Sequence, residues 1–156
     1  MKKTLLLVAW IIALQFIGYS MGMLTKANLV PWYQALPKSL LTPPGYVFGL
    51  AWGILYILLA TAGWYLFHAI NKQKLTQLRY LFSAQLLLNW AWTPIFFYLH
   101  WLGLALLCLI AIVALTTYFL ILAWRQSQFL FCLLLPYWLW ICFAMYLNGV
   151  IWGMTL

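Results

Sequence analysis

The chain has 156 residues, of which 69% are hydrophobic and 5% charged, against about 25% charged in soluble domains. It holds no Asp or Glu, and its eight Lys and Arg stand singly or in pairs between apolar runs. This excludes a soluble domain, a carboxylate-driven reaction and a carboxylate proton relay. The scattered cations form no basic stripe for nucleic acid and suit lipid headgroups instead.

Five apolar stretches are long enough to cross a bilayer, which takes about 20 helical residues. They predict an all-α integral membrane protein, a five-transmembrane-helix bundle in one domain over 1–156. The first span, near 5–24, follows Met1-Lys2-Lys3 and imitates a signal peptide. Signal cores run about 7–15 residues, and no small-x-small cleavage site follows cleanly, so the stretch is expected to remain as a span.

The segment 25–45 is the one long connection. It carries Pro31, Pro37, Pro43 and Pro44 with Trp32 and Tyr33 between them. Long loops in compact proteins are usually functional lids or disordered; the prolines and aromatics here predict an ordered cap on the helix ends. Pro43-Pro44-Gly45 marks the start of the second span, near 46–68. Lys72, Lys74 and Arg79 separate it from the third, near 78–99. A tight turn from His100 to Gly103 leads to the fourth, near 102–124. Arg125-Gln-Ser-Gln128 breaks the fourth from the fifth, near 129–153, where Pro136 removes a backbone donor and is expected to kink the helix.

With five spans, Lys2, Lys3, Lys72, Lys74, Arg79 and Arg125 share one side, and Lys26 and Lys38 the other. The positive-inside rule then places the N-terminus in the cytoplasm and the C-terminus outside, for a bacterial membrane. Cys108, Cys132 and Cys142 lie in apolar runs without metal or CxxC spacing and read as buried thiols. His68 and His100 end apolar runs and read as interfacial, so no metal site is expected.

Two asparagines interrupt the tryptophan-rich runs Gln85–Phe97 and Leu135–Trp152. An amide in hydrocarbon is costly unless hydrogen-bonded, whereas Trp and Tyr offer flat apolar faces with one donor each. Helical rise ranks the depths below the cap end: Trp52 at about 9 Å, Tyr56 and Asn89 at about 15 Å, Trp92 at about 10 Å, Ala144 at about 13 Å, Asn148 at about 7 Å and Trp140 at about 20 Å. Three helices thus bring one layer of aromatic and amide groups beneath the cap. Trp52 and Tyr56 share a helix face, as do Asn89, Trp92 and Thr93, and so do Tyr137, Trp140, Ala144, Asn148 and Ile151. This spacing suits a pocket for a flat apolar ligand floored by Trp140; it equally suits a helix–helix seam in which aromatics pack and amides pair. Gly18-x-x-x-Gly22 and Gly49-x-x-x-Gly53 permit close helix contact, within the bundle or in a dimer.

These residues resemble the TspO/MBR family of translocator proteins, tryptophan-rich sensory proteins and peripheral-type benzodiazepine receptors, over nearly the whole stretch from Trp32 to Trp152. The cap and second span match through Trp32-Tyr33, Leu36, Lys38, Pro43-Pro44, Phe48, Trp52 and Leu55-Tyr56. The third matches through Gln85, Leu88-Asn89, Trp92 and Phe96-Phe97. The fifth matches through Pro136-Tyr137, Trp140, Phe143-Ala144, Leu147-Asn148 and Ile151-Trp152. Ser39 and Leu41 replace a Pro and a Trp of the family's cap pattern, which implies a looser cap, and Cys108 stands where relatives often carry Asp. The run after Leu147 lacks the Tyr and basic residue of the animal steroid-recognition pattern.

The resemblance implies a membrane protein, often dimeric, that binds tetrapyrroles such as protoporphyrin or haem, or sterol-like and drug-like small molecules, as ligands rather than obligatory cofactors. Its role would be transport, sensing or tetrapyrrole homeostasis. The implied ligand-binding residues are Tyr33, Phe48, Trp52, Tyr56, Asn89, Trp92, Trp140, Phe143, Ala144 and Asn148. The aromatics would stack on the macrocycle, and the asparagines would hold its polar edge or fix neighbouring helices. Lys38 could pair with a propionate at the rim. The alternative is an enzyme that degrades porphyrin with light and oxygen, with Trp52 and Trp140 as redox-active side chains.

Overall fold

The computed structural model describes residues 2–69 and 75–156, and every regular element in them is helical. Lys72 and Lys74 lie outside the described residues. Helix α1 covers Lys2–Ala27. Helix α2 covers Gly45–Trp64 and α3 Thr76–Thr93. Helix α4 covers Leu102–Gln126 and α5 Gln128–Thr155. A widened turn, Tyr65–Ala69, continues α2, and another, Pro94–Tyr98, continues α3.

Pro94 has no N–H to offer the helix, and the turn beyond it widens: the Leu99 N–H reaches the Pro94 carbonyl at 2.9 Å. Helix α5, by contrast, runs unbroken through Pro136. One extended residue, Ser127, separates α4 from α5, and its hydroxyl accepts from the Leu130 N–H at 3.5 Å to cap α5. His100 makes the α3–α4 turn in the left-handed region, at φ 59°, which a residue other than glycine occupies only under external constraint.

Among the described residues, four helices are individually long and apolar enough to cross a membrane. Helix α3 is the exception in composition. Its polar residues Gln85, Asn89 and Thr93 recur every fourth position and are all buried, so they face the bundle interior. With its widened turn the helix reaches about 34 Å, against about 30 Å of hydrocarbon. Large apolar side chains such as Leu5, Ile12, Phe16, Leu50, Ile54, Leu107 and Ile121 face outward, as lipid contact demands.

The helices pack as a ring in the order α1, α2, α5, α4, α3, closed most loosely between α3 and α1. One end of the ring is solid: Leu59, Leu78, Phe82, Ile112, Phe119, Leu130, Leu134 and Ile141 are essentially inaccessible. There α1 and α2 are tied by the Trp64 indole N–H on the Lys3 carbonyl at 3.0 Å and by Trp10 lying over Gly63. Arg79 ties α3 to α2, its Nε donating to the Leu66 carbonyl at 2.7 Å and its guanidinium facing Phe67.

At the other end the ring is hollow, and the glycines show why. A Cβ on Gly18 would lie 2.5 Å from the Tyr56 ring, so here α1 and α2 touch. A Cβ on Gly22, Gly45, Gly49 or Gly53 would meet nothing within 4 Å. The two small-residue motifs are thus not both close-contact seams: Gly18 closes the helix pair, and Gly22, Gly49 and Gly53 line the gap that opens beyond it. Of the cysteines, Cys108 is buried, Cys142 half-buried and Cys132 exposed on the outer face; the expectation of three buried thiols is corrected because Cys132 points away from the ring.

Candidate functional site

The hollow end holds a cavity of about 1110 Å³, slightly above the roughly 300–1,000 Å³ typical of small-molecule sites. Helices α1, α2, α3 and α5 supply most of its wall, Leu109 of α4 adds to it, and the segment between α1 and α2 roofs it. Nine of the ten sequence-derived residues line it: Tyr33, Phe48, Trp52, Tyr56, Asn89, Trp92, Trp140, Ala144 and Asn148. The tenth, Phe143, does not. It lines a separate shallow groove on the α2–α5 face with Ala51, Ile54 and Pro136. Phe143 precedes Ala144 by one residue, and that step of about 100° turns it away from the cavity.

The cap is ordered by aromatic contacts. Trp32 stacks on His100 with ring centroids 3.8 Å apart and meets Phe96 and Phe97 edge-on. This contact supplies the constraint on the left-handed His100. Tyr33 packs on the same two phenylalanines, and burial pushes its phenol above its usual pKa. The Ser39 hydroxyl and the Tyr146 hydroxyl share a hydrogen bond of 3.0 Å, fastening the cap to α5. Lys38 donates to the carbonyls of Gln34 and Leu36, each at 3.0 Å, and lies 4.7 Å from the Tyr33 ring centre.

Two aromatic groups form the walls. On one side Trp92 stacks on Phe96 at 5.2 Å. On the other, Trp52 packs against Tyr56 at 5.6 Å, and Phe48 meets Trp140 edge-on at 5.7 Å. The Trp140 indole N–H is buried without a partner among the described residues.

The asparagines work on the protein. Tyr56 Oη donates to Asn89 Oδ1 at 3.4 Å, Asn89 Nδ2 donates to Tyr137 Oη at 3.2 Å, and Tyr137 Oη donates to Gln85 Oε1 at 2.7 Å. This chain joins α2, α3 and α5 beneath the cavity. Asn148 Oδ1 accepts from the Trp92 indole at 3.2 Å, and its Nδ2 donates to the Leu102 carbonyl at 3.1 Å. One amide therefore sets the angle of a wall tryptophan and pins the start of α4. Gln85 and Tyr137 were missed as site residues. Their spacing from Asn89 and Trp140 put them on the right faces, but one turn too deep to touch the cavity.

Removing the Tyr137 hydroxyl strands Asn89 Nδ2 and Gln85 Oε1 in the interior. Tyr137→Phe is expected to lower stability by about 1–2 kcal/mol. Thermal unfolding in detergent measures it, and an unchanged midpoint would show that the network is not structural.

The fold and the cavity define a helical integral membrane protein with a capped, aromatic-walled internal chamber. The model of the TspO/MBR family matches residues 8–153. The chain is 33% identical over 155 residues to the translocator protein of Homo sapiens, covering 92% of this chain and 89% of that one. It is 32% identical over 145 residues to the tryptophan-rich protein TspO of Archaeoglobus fulgidus, covering 93% and 94%. It is 30% identical over 146 residues to protein CrtK of Rhodobacter capsulatus, covering 92% and 91%. The chain belongs to the TspO/MBR family.

Proposed function

We propose that the cavity binds tetrapyrroles, protoporphyrin or haem, as ligands for transport, sensing or homeostasis. The observation that carries this reading is the cavity of about 1110 Å³ walled by Trp52, Trp92 and Trp140 under an ordered aromatic cap. Opposed indole and phenyl faces suit a flat macrocycle, because offset stacking and area burial act together on such a ligand. Tyr56 and Asn89 at the floor already pair with one another, which leaves the lower part of the chamber mostly apolar toward a ligand. Such a site favours a ligand that is mostly apolar and carries its polar groups at one edge.

Lys26 and Lys38 line the cavity at its cap end. Under the positive-inside rule that end is external in a bacterial membrane, with the N-terminus cytoplasmic. Ligand would then be taken up at the outer half of the bilayer.

Titration in lipid nanodiscs in the dark tests the reading. Protoporphyrin is expected to quench tryptophan emission saturably, at one ligand per chain and micromolar Kd, corresponding to about −8 kcal/mol. A linear, unsaturable decrease would mean partition into lipid and would refute the proposal.

A further inference from the structure

We infer that Lys26 and Lys38 form an anion-selecting rim, so that the ligands of this chamber are amphipathic acids whose carboxylates supply the rim's counter-charge. The inference rests on the ligand-binding reading above and narrows it to a chemical class. Both lysines line the cavity, one on the last turn of α1 and one in the cap. The other six cations of the chain belong to the N-terminus, the α2–α3 connection, the start of α3 and the end of α4.

The chain has no Asp or Glu, so no side chain can neutralise either lysine. Lys38 is half-buried, and its ammonium is held in place by the Gln34 and Leu36 carbonyls and the Tyr33 ring. Two carbonyl dipoles and a ring face offset part of its desolvation but supply no counter-charge. Lys26 is exposed at the same mouth. A held cation and an exposed one beside an apolar chamber, with no acidic side chain in the sequence to offset them, give this end a positive potential that concentrates anions. An anionic lipid headgroup could satisfy the same chemistry. The geometry points to the ligand, because both lysines line the chamber and Lys38 is fixed over Tyr33, whose ring also lines it.

The test compares protoporphyrin with its dimethyl ester, and 1-pyrenebutyrate with its methyl ester, in phosphatidylcholine nanodiscs. It uses the parent, Lys26→Gln, Lys38→Gln and the double variant; glutamine keeps a donor for the cap carbonyls. Each acid is expected to bind the parent about tenfold or more tightly than its ester, as charge-assisted hydrogen bonds predict. In the double variant the ratio should fall to about one, with the single variants between. The preference should persist in nanodiscs containing phosphatidylglycerol, measured against the double variant in the same membrane.

If neither porphyrin binds but the pyrene pair shows the lysine-dependent preference, the tetrapyrrole reading fails and the anion rim stands. If neither pair shows a lysine-dependent preference, the rim is refuted. Loss of the preference in phosphatidylglycerol alone assigns the lysines to headgroups and also overturns it.

Discussion

Gly49→Phe is expected to weaken tetrapyrrole binding at least tenfold while leaving the bundle folded. Gly49 lines the cavity, and a Cβ there meets nothing within 4 Å. A benzyl group therefore grows into the chamber rather than into a neighbouring helix. Replacing glycine inside a helix also lowers the backbone entropy lost on folding, so stability should hold or rise slightly. Gly18 supplies the contrast. Its added Cβ would lie 2.5 and 2.6 Å from two Tyr56 ring atoms, and that ring is buried and bonded to Asn89. Gly18→Ala should cost about 1–3 kcal/mol through overpacking. Thermal unfolding and porphyrin titration on both variants separate the effects. A Gly49→Phe protein that binds as tightly as the parent would move the ligand out of the chamber.

Trp32→Ala should release the cap. Trp32 does not line the cavity; it stacks on His100 and meets Phe96 and Phe97. Each aromatic pair contributes about 0.5–1.5 kcal/mol beyond area burial, and truncating a packed tryptophan costs about 3–5 kcal/mol in all. That loss falls on the connection between α1 and α2, because the remaining helix contacts do not involve Trp32. Bound porphyrin should dissociate at least tenfold faster, as expected when roughly 1.4 kcal/mol or more of closure is lost. Amide exchange over 29–42 should accelerate while that of α4 and α5 is unchanged. Unchanged dissociation would mean that the cap does not gate the chamber.

The five-helix architecture was legible because five apolar runs separated by charge, proline or a tight turn leave little else for the chain to form. The cap was legible from its prolines and aromatics. The layer of Trp52, Asn89, Trp92 and Ala144 was legible from depth, since helical rise is fixed. Rotation about the helix axis was not. Phe143 and Ala144 are neighbours in sequence and similar in depth, yet only Ala144 lines the chamber, and no single-helix pattern says which neighbour a face will meet.

The glycines make the same point. Gly18 and Gly22 share a motif and a face, but one touches Tyr56 and the other borders open space. That difference depends on where α1 and α2 diverge, which is a property of the pair. The asparagines were recognised as polar groups needing partners. Asn148 took Trp92 and the Leu102 carbonyl, and Asn89 took Tyr56 and Tyr137; Tyr137 is bonded in turn to Gln85 one turn below the chamber, so the floor is built by hydrogen bonding as well as by packing.

The central claim is that the capped chamber is where the ligand sits. The most direct measurement is the position of the metal in crystals grown with zinc protoporphyrin, located by anomalous scattering at the zinc edge. The account predicts one peak per chain inside the chamber, between the Trp52–Trp140 wall and the Trp92–Phe96 wall and beneath the cap. A peak on the lipid-facing surface, or in the shallow groove beside Phe143, with the chamber empty, would contradict it.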